Sequence, residues 1–274
     1  MLTIRKGRYE VRLAAGDDDL RAAQRLRWLC FVGNRRPAAA PEAGQTGTAD
    51  HGADDGADHG KAAAANALDA DAHDSLCSHV LIEDRVSGQL VACFRLLVLS
   101  SGAEIQQSYS AQYYDLSALV AYDAPMIEVG RFCVHPAHSD PDILRIAWAA
   151  LSALVDKTGA GLLFGCSSFM GTDAAGHADA FAMLRQRHLA PRRWLPRVKA
   201  PEVFRFARLW RRRPDARHAM ALMPPLLRTY LMMGGWVSDH AVMDRQLDTM
   251  HVFTGLEIAA IPPARARALR LLAG

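Results

Sequence analysis

Apolar and polar residues alternate along several short segments, which is the pattern of half-buried strands. Residues Arg8–Leu13 alternate in this way and predict a first strand. A helix is predicted next, because Asp17–Asp19 can cap a segment whose apolar residues recur at helical spacing as far as Phe31. A β-hairpin follows, with strands at His79–Asp84 and Gln89–Leu97 joined by a Ser-Gly turn.

The second half of the chain alternates strands with helices. Pro125–Pro136 predicts a strand, and Ser139-Asp140-Pro141 supplies a polar N-cap and a first-turn proline for a helix that runs to about Lys157. The remaining predicted elements are a buried strand at Gly161–Phe169, a helix at Ala178–Leu189, a helix at Leu226–Met233, and strands at Val242–Arg245 and Thr249–Ile258.

The order of these elements indicates an α/β fold with a mixed sheet and an α-β-β extension at its C-terminal end. Neither GxGxxG nor GxxxxGK[ST] occurs, so we expect no dinucleotide or P-loop site. The eleven histidines show no HExxH spacing and the five scattered cysteines no CxxC pair, so we expect no metal. An odd number of scattered cysteines is typical of a protein of the reducing cytosol.

Residues 37–74 interrupt this pattern. Ala, Gly, Asp and His dominate the segment, which contains almost no large apolar residue, so burial gains too little to order it. We therefore predict one domain over residues 1–274 that carries a disordered insertion at 37–74. The insertion is acidic, with eight acidic residues against one lysine, whereas residues 185–228 carry thirteen arginines and lysines against two acids. Such segregated charge indicates an anionic partner.

Composition narrows the class of protein further. The chain has 274 residues, half of them hydrophobic, and a net charge of +3, which is typical of a globular protein. Its longest largely apolar stretches are far shorter than the ~20 residues that a membrane-spanning helix needs. The N-terminal residues MLTIRKGRYEVR lack the apolar region of a secretory signal, so we expect a cytoplasmic protein.

Several motifs resemble those of a known family. The segments are IEVGRFCVHP (127–136), LFGCSSFMGTD (163–173), RHLAP (187–191), and the tail from Pro224 to Phe253, together with YEVRLA, AAQRLRWLCF and SHVLIEDRVSGQLVACFRLL. In this order they resemble the L-ornithine Nα-acyltransferases of bacterial ornithine-lipid synthesis. These enzymes belong to the GNAT superfamily and resemble acyl-homoserine-lactone synthases. The resemblance covers nearly the whole chain outside the insertion.

The resemblance implies a GNAT-like fold, with a mixed, mostly antiparallel sheet flanked by helices. It also implies transfer of a 3-hydroxyacyl chain to the α-amine of L-ornithine. Because Val134–Leu144 contains no glycine-rich pyrophosphate loop, we expect the donor to be acyl carrier protein, whose phosphopantetheine thioester is a co-substrate, with no bound cofactor. Two alternatives stay open: an acyl-homoserine-lactone synthase that uses S-adenosylmethionine, and a non-catalytic GNAT scaffold that binds membranes or nucleic acid.

Four residues of the predicted central strands carry the candidate chemistry. Glu128 can act as the general base for the attacking amine, or it can simply pair with an arginine of the sheet. Arg131 and Arg95 can bind the carboxylate of the amino acid, can organise Glu128, or can form structural ion pairs. Gly130 permits a bulge and a close approach of the thioester. Backbone N–H groups around Val129 and Gly130 can then polarise its carbonyl.

Other candidates have weaker signals. Ser139 and Arg145, at the start of the predicted helix after Pro136, can receive the phosphopantetheine phosphate, although capping alone explains the same residues. Arg27 and Phe31 share a helix face that can close over the acyl chain or can simply be core and rim. Five further acids are candidates for binding the substrate, and the pattern does not choose among them: Asp74 or Asp71 in the insertion, and Asp239, Asp244 and Asp248 in the tail for the ornithine ammonium. Ser167 and Ser168 lack a nucleophile-elbow motif, so we expect no acyl-enzyme.

The segment VFRFARLWRRR (203–213) alternates aromatic and basic residues. It fits docking of an acidic carrier protein, contact with an anionic bilayer, or a solvated basic face whose aromatics enter the core. Nucleic-acid binding has no supporting motif, so we expect no nucleic-acid partner. The candidate docking residues are Arg205, Arg208, Trp210, Arg211 and Arg212. We expect the carrier protein and ornithine as partners, with peripheral contact to the inner face of the membrane.

Overall fold

A central sheet organises the protein. The computed structural model describes residues 2–33, 67–209 and 212–273. Within these residues nine strands form one sheet in the order β1-β2-β3-β4-β6-β7-β11-β10-β9, and β5 pairs with β8 separately. The strands are β1 (Thr3–Lys6), β2 (Tyr9–Leu13), β3 (Ser78–Asp84), β4 (Leu90–Leu99), β5 (Tyr114–Asp115), β6 (Met126–Val134), β7 (Leu162–Met170), β8 (Arg197–Val198), β9 (Val203–Phe204), β10 (Trp236–Asp244) and β11 (Thr249–Glu257).

Helices cover both faces of the sheet. They are α1 (Asp17–Trp28), α2 (Pro141–Thr158), α3 (Ala178–Arg187), α4 (Phe206–Leu209), α5 (Ala216–Leu222), α6 (Pro225–Met232) and α7 (Pro263–Ala273). A π-helical turn, Leu29–Gly33, continues α1. The 3-10 helices are Ala72–Ser75, Gly102–Gln107, Ser110–Gln112, Ser117–Ala121, Ala174–His177 and Ile258–Ala260.

Each face of the sheet has its own apolar core. On one face α2 packs Ile143, Ile146 and Leu151 against β2, β3, β4, β6 and β7. Helix α2 begins after Asp140, whose side chain caps the Asp142 N–H, and ends at a left-handed Gly159. On the other face the 3-10 segment of residues 102–121 buries a second core against β4, β6 and β7. Adjacent residues of β6 therefore face different cores.

The predicted fold class is confirmed: the sheet is mixed and mostly antiparallel, and β6 with β7 is the one parallel pair among the described strands. The predicted strands and helices occur with boundaries that differ by a few residues. The largest difference is β10, which begins at Trp236 rather than Val242 because a register shift between Val237 and Ala241 carries the pairing past an irregularity. The α-β-β tail consists of α6, β10 and β11, and its strands continue the main sheet.

The predicted insertion at 37–74 differs from the structure at its end. Residues 37–66 lie outside the described residues. Residues 67–74, which we expected to be disordered, are placed: Asp71 caps the 3-10 helix Ala72–Ser75 with a reciprocal capping box to Asp74. Opposite charges on the sheet hold this end of the segment, and composition alone does not reveal them.

Candidate active site

The two parallel strands separate where the site lies. β6 and β7 pair from Met126–Leu162 as far as Glu128–Phe164 and then diverge. At the last close contact, a Cβ on Gly165 would lie 2.3 Å from the carbonyl oxygen of Val129, so only glycine fits there. Beyond it, two residues of β6 oppose one of β4, and Arg131 of this bulge adopts a positive φ of 53°. The bulge turns β6 away from β7.

A cavity of about 940 Å³ lies at this divergence. From the side of α2 and α6 it is lined mostly by apolar residues, among them Leu144, Leu226 and Met232, together with the polar Ser139, Arg228 and Thr229. From the side of the 3-10 segment it is lined by polar groups, among them Glu128 and Tyr109. The cavity can therefore take an apolar chain on one face of the sheet and a polar molecule on the other.

Glu128 lies where the strands part and is 4% exposed. Its Oε1 accepts hydrogen bonds from the Ser110 N–H at 2.8 Å and the Ser110 hydroxyl at 2.6 Å, and its Oε2 accepts one from the Tyr109 N–H at 2.8 Å. Burial raises the pKa of Glu128 above that of an ordinary carboxyl, and these hydrogen bonds oppose the shift. A carboxylate held at a cavity with a raised pKa is suited to take a proton from an amine.

The arginines of the central strands pair with the end of the insertion rather than with Glu128. Arg95 reaches Asp71 at 2.5 Å and Asp74 at 2.7 Å, and Arg131 reaches Asp71 at 3.2 Å and Asp69 at 3.0 Å. Arg27 completes this arginine–aspartate cluster, which consists of Arg27, Arg95, Arg131, Asp69, Asp71 and Asp74. Three positive and three negative charges balance inside the fold, next to the cavity.

The cluster lowers the pKa values of Asp71 and Asp74. Burial raises the pKa of Asp74, but hydrogen bonds from Arg27 and Gln24 and the neighbouring positive charges outweigh it and hold that pKa far below its usual range. The pKa of Asp71 is also lowered, mainly by Arg95 against the cost of burial. These acids stay ionised near neutral pH. We expect the cluster to fix the geometry of the bulge beside Glu128.

The two candidate residues of the first predicted helix, Phe31 and Arg27, lie in different surroundings. Phe31 lies in the π-helical turn, lines the cavity, and has the Arg131 guanidinium 5.9 Å above its ring. Arg27 is 1% exposed and binds Asp69 and Asp74, so closure over an acyl chain was the wrong expectation for this side chain. Gly130 has room for a Cβ, 3.5 Å from the Arg95 side chain, and the glycine required by close approach is Gly165 instead.

The tail acids are separated by the structure. Asp244 lines the cavity, and its Oδ1 accepts a hydrogen bond from the Leu247 N–H at 2.8 Å. Asp239 binds the buried His240 imidazole at 2.7 Å and is not among the residues that line the cavity, so its role in substrate binding stays a prediction. Asp248 is exposed and adopts a positive φ of 41° in the turn after β10.

One of the free backbone N–H groups at the start of α2 already has a hydrogen-bond partner. Ser139 lines the cavity, but the Asp140 carboxylate accepts hydrogen bonds from the Asp142 N–H at 2.9 Å and from Tyr9 at 2.9 Å. Arg145 is exposed and pairs with Asp142 one turn into the helix. Binding of a phosphate by Ser139 and Arg145 stays a prediction.

The basic–aromatic segment divides by exposure. Phe206 is fully buried among α3 and α5 residues, and Arg205 and Arg208 are exposed on either side of it. Arg212 pairs with Asp179 at 2.7 Å and is half exposed. Trp210 and Arg211 lie outside the described residues. The aromatics that are described enter the core, and the arginines form a solvated surface.

Sequence reasoning missed two parts of the site. The 3-10 segment that supplies Tyr109 and Ser110 carries no helical or strand period, so it gave no signal. Thr249 and His251 of β11 also line the cavity, within a strand that was predicted only as an apolar element.

Burial raises the pKa of Cys166, another cavity residue, to about 12, so its thiol stays uncharged and is not a nucleophile.

Two absences hold within the described ranges. No helix there is both long and apolar enough to cross a membrane. No group of three or more His, Cys, Asp or Glu side chains in those ranges is arranged to hold a metal ion.

The chain is similar to proteins of known family. The profile of the acetyltransferase (GNAT) domain matches residues 53–149. The L-ornithine N(alpha)-acyltransferase of Rhodobacter capsulatus is 34% identical over 258 residues, which cover 92% of this chain and 91% of that protein. The L-ornithine N(alpha)-acyltransferase of Rhizobium meliloti is 29% identical over 262 residues, which cover 92% of this chain and 81% of that protein. Among solved structures, FeeM, an N-acyl amino acid synthase from uncultured soil microbes, has a TM-score of 0.46 with 9% identity over 98% of each chain.

The mixed sheet, the matching GNAT domain and these relatives identify an acyltransferase of the GNAT superfamily. The alignment with the first of these relatives extends over more than nine-tenths of both chains. The chain belongs to the L-ornithine Nα-acyltransferase family.

Proposed function

We propose that this chain transfers a 3-hydroxyacyl group from the thioester of acyl carrier protein to the α-amino group of L-ornithine, giving lyso-ornithine lipid. The observation that carries the proposal is the two-sided cavity, with an apolar wall on α2 and α6 and a buried carboxylate, Glu128, where the strands part. Two relatives that align over most of this chain bear the name of this activity.

The acyl chain fits the apolar side. Leu144 of α2 and Leu226 and Met232 of α6 face the cavity there, and a long chain gains about 0.8 kcal/mol per buried CH₂. The thioester carbonyl then lies at the gap between β6 and β7, and ornithine enters from the side of Tyr109. This arrangement brings the two substrates together across the sheet, which holds them in a reactive orientation.

Glu128 starts the reaction by taking one proton from the ornithine α-ammonium, directly or through a water molecule. The neutral amine attacks the thioester carbon, and a C–N bond forms as the carbonyl becomes an oxyanion. The C–S bond then breaks, and the second amine proton passes to the departing sulfur, which leaves as the thiol of the carrier protein. The net products are an amide, a thiol and the proton on Glu128, which is lost to solvent. No acyl-enzyme is required.

We assign the exposed arginines Arg205 and Arg208, with Arg145 and Ser139 at the start of α2, to docking of the acidic carrier and its single phosphate. Because the product carries a long acyl chain, we place the reaction at the cytoplasmic face of the membrane, with the same basic surface as the peripheral contact.

The test uses purified protein, 3-hydroxyacyl carrier protein and ornithine, and follows both the released thiol and the mass of N-acyl-ornithine. The wild-type chain is expected to form both in equal amounts. Glu128→Gln is expected to lose roughly 10²- to 10⁴-fold in rate while it unfolds at the same temperature. Failure of the folded wild-type chain to acylate ornithine would contradict the proposal. The same failure is tested in cells by expressing the chain in a host that lacks ornithine lipids. If the chain is soluble and intact there and no new lipid forms, the proposal is contradicted again.

A further inference from the structure

Three hydrogen-bond acceptors share one wall of the cavity on the β10–β11 hairpin. Asp244 and Thr249 are directly paired across the hairpin, and His251 follows two residues along the same face of β11. All three line the cavity. Directly paired residues have Cβ atoms roughly 5 Å apart, so the carboxylate and the hydroxyl are neighbours. Within the described residues the Asp244 carboxylate has no cationic partner within ion-pair distance.

Hydrogen bonding fixes which nitrogen of His251 carries its proton. The Tyr114 hydroxyl donates its one proton to the His251 carbonyl oxygen at 2.7 Å. His251 Nδ1 lies 3.2 Å from the same hydroxyl oxygen, so this nitrogen must be the donor of that contact. Burial lowers the pKa of His251 to about 4, which keeps the ring neutral at pH 7. Nε2 therefore carries a lone pair and acts as an acceptor.

Two of these acceptors have no partner among the described residues. His251 is 4% exposed and Thr249 6%, and both Nε2 and the Thr249 hydroxyl oxygen are buried without a hydrogen bond. Buried polar groups are almost always paired, because an unpaired one has lost its hydrogen bonds to water without replacement. The ring of Tyr113 stands edge-on to His251 at 5.0 Å and helps to cover it.

The chemistry of the wall indicates the group it binds. A carboxylate, an imidazole lone pair and a hydroxyl oxygen accept three hydrogen bonds and supply one negative charge, which matches a primary ammonium group with its three N–H donors. We propose that Asp244, Thr249 and His251 bind the terminal ammonium of the acceptor amino acid and so select a diamino acid. The inference rests on the proposed function, since it names the part of the site that recognises ornithine.

The wall lies on the same face of the sheet as Glu128. Ser110 bridges Glu128 and Cys166, with its hydroxyl 2.6 Å from the Glu128 carboxylate and 3.5 Å from the Cys166 sulfur. Cys166 pairs with Phe253, and His251 is two residues further along the same face of β11. With the α-amine near Glu128, the side chain of ornithine extends along this face toward the wall.

The test is competition between ornithine and norvaline, which has the same carbon skeleton without the terminal amine, at a saturating concentration of 3-hydroxyacyl carrier protein. Wild-type protein is expected to favour ornithine strongly. Asp244→Asn, which keeps an oxygen for the Leu247 N–H, is expected to lower kcat/KM for ornithine roughly 10- to 100-fold with norvaline unchanged. Thr249→Val is expected to lower it roughly 10-fold without loss of stability, because it removes a hydroxyl that has no partner.

Glu202→Gln is the matched control, because it removes an exposed carboxylate that pairs with Arg245 beside the same hairpin but outside the cavity. It is expected to leave the product ratio unchanged. If the wild type prefers ornithine and both Asp244→Asn and Thr249→Val retain that preference, the assignment is wrong. If the wild type acylates neither amino acid, the proposed function fails instead. Should Asp244→Asn not fold, Thr249→Val alone decides the assignment.

Discussion

Ser110 donates two hydrogen bonds to Glu128, one from its backbone N–H and one from its hydroxyl, and both end on Oε1. The residues are 18 positions apart and belong to a 3-10 helix and a strand, so the turn at Ser110 positions the carboxylate. Burial raises the pKa of Glu128, and the hydrogen bonds from Ser110 act against that rise. The balance between them sets the pH at which Glu128 becomes a base.

We therefore expect Ser110→Ala to change the pH profile of kcat. Glu128 must be ionised to accept a proton, so activity falls as the pH drops through its raised pKa. Loss of the Ser110 hydroxyl removes a donor that favours the ionised form, which raises this pKa further and moves the acidic limb of the profile to higher pH. At a fixed pH on that limb, kcat is expected to fall roughly 10-fold.

Ser108→Ala is the control for that variant. Ser108 lies in the same segment, is equally buried, and donates its hydroxyl to the Ile105 carbonyl rather than to Glu128. We expect it to lose stability without displacing the acidic limb. Equal displacement in both variants would mean that the segment, and not the hydrogen bond, sets the pKa of Glu128.

The sequence predicts the frame of the site better than its polar contents. The strand that bears Glu128 and the helix from Pro141 to Thr158 have strong periodicity and a clear cap, so their presence was predictable. The segment that contains Tyr109 and Ser110 consists of short 3-10 turns, which have no such period. Its placement depends on contacts with β4 and β6 that only the folded chain makes.

The end of the insertion was mispredicted for a different reason. The segment that carries Asp69, Asp71 and Asp74 has the same composition as the low-complexity residues before it, so its sequence indicates disorder. What orders them is pairing with Arg95 and Arg131, which are distant in the sequence. Local pattern cannot reveal a charge balance that forms between separate segments, and this cluster is the clearest case in the protein.

The arginine–aspartate cluster predicts how stability depends on pH. Asp74 is buried, and its pKa in the folded state is held well below the unfolded value. The contribution of ionised Asp74 to the stability of the folded chain is therefore present above the pKa of about 4 that this carboxyl has in the unfolded chain. It is lost as the pH falls toward the pKa of Asp74 in the folded state. Asp74→Asn removes a counter-charge that Arg27 and Arg95 share and leaves the cluster with one positive charge in excess, so we expect the free energy of unfolding at pH 7 to fall by about 3–5 kcal/mol.

Urea unfolding at pH 7 and at pH 3 measures this effect. The difference in the free energy of unfolding between wild type and variant is expected to be smaller at pH 3. Asp156→Asn is the control, since Asp156 forms an exposed pair with Arg270, and it is expected to change stability far less. A gap that stays constant between the two pH values would show that the loss at Asp74 is one of packing and not of charge.

The close approach of the strands predicts an effect at Gly165. A Cβ there would meet the Val129 carbonyl oxygen at 2.3 Å, so Gly165→Ala must push β7 from β6 just before the cavity. We expect a loss of about 1–3 kcal/mol in the free energy of unfolding, together with a fall in kcat as the gap at Glu128 widens. Gly176→Ala, where a Cβ meets nothing within 4 Å, is the comparison and is expected to be neutral in urea unfolding and in the assay.

The apolar wall predicts the chain length that the enzyme prefers. Leu226 is half-buried at the start of α6 and faces the cavity, so Leu226→Trp fills part of the volume that the acyl chain is proposed to occupy. We expect the preference among acyl carrier proteins of increasing chain length to move to shorter chains, with a fall in kcat/KM of roughly 10-fold for the longest donor.

Val120→Trp is the counterpart of that change, because Val120 is exposed and lies outside the cavity lining. It is expected to leave the order of donors as in the wild type. The acyl chain lies on the side of α2 and α6 if the order of donors changes in Leu226→Trp alone while ornithine retains its KM. An unchanged order in Leu226→Trp, with the protein folded, means that the chain takes another path, and a raised KM for ornithine means that the polar substrate occupies this side.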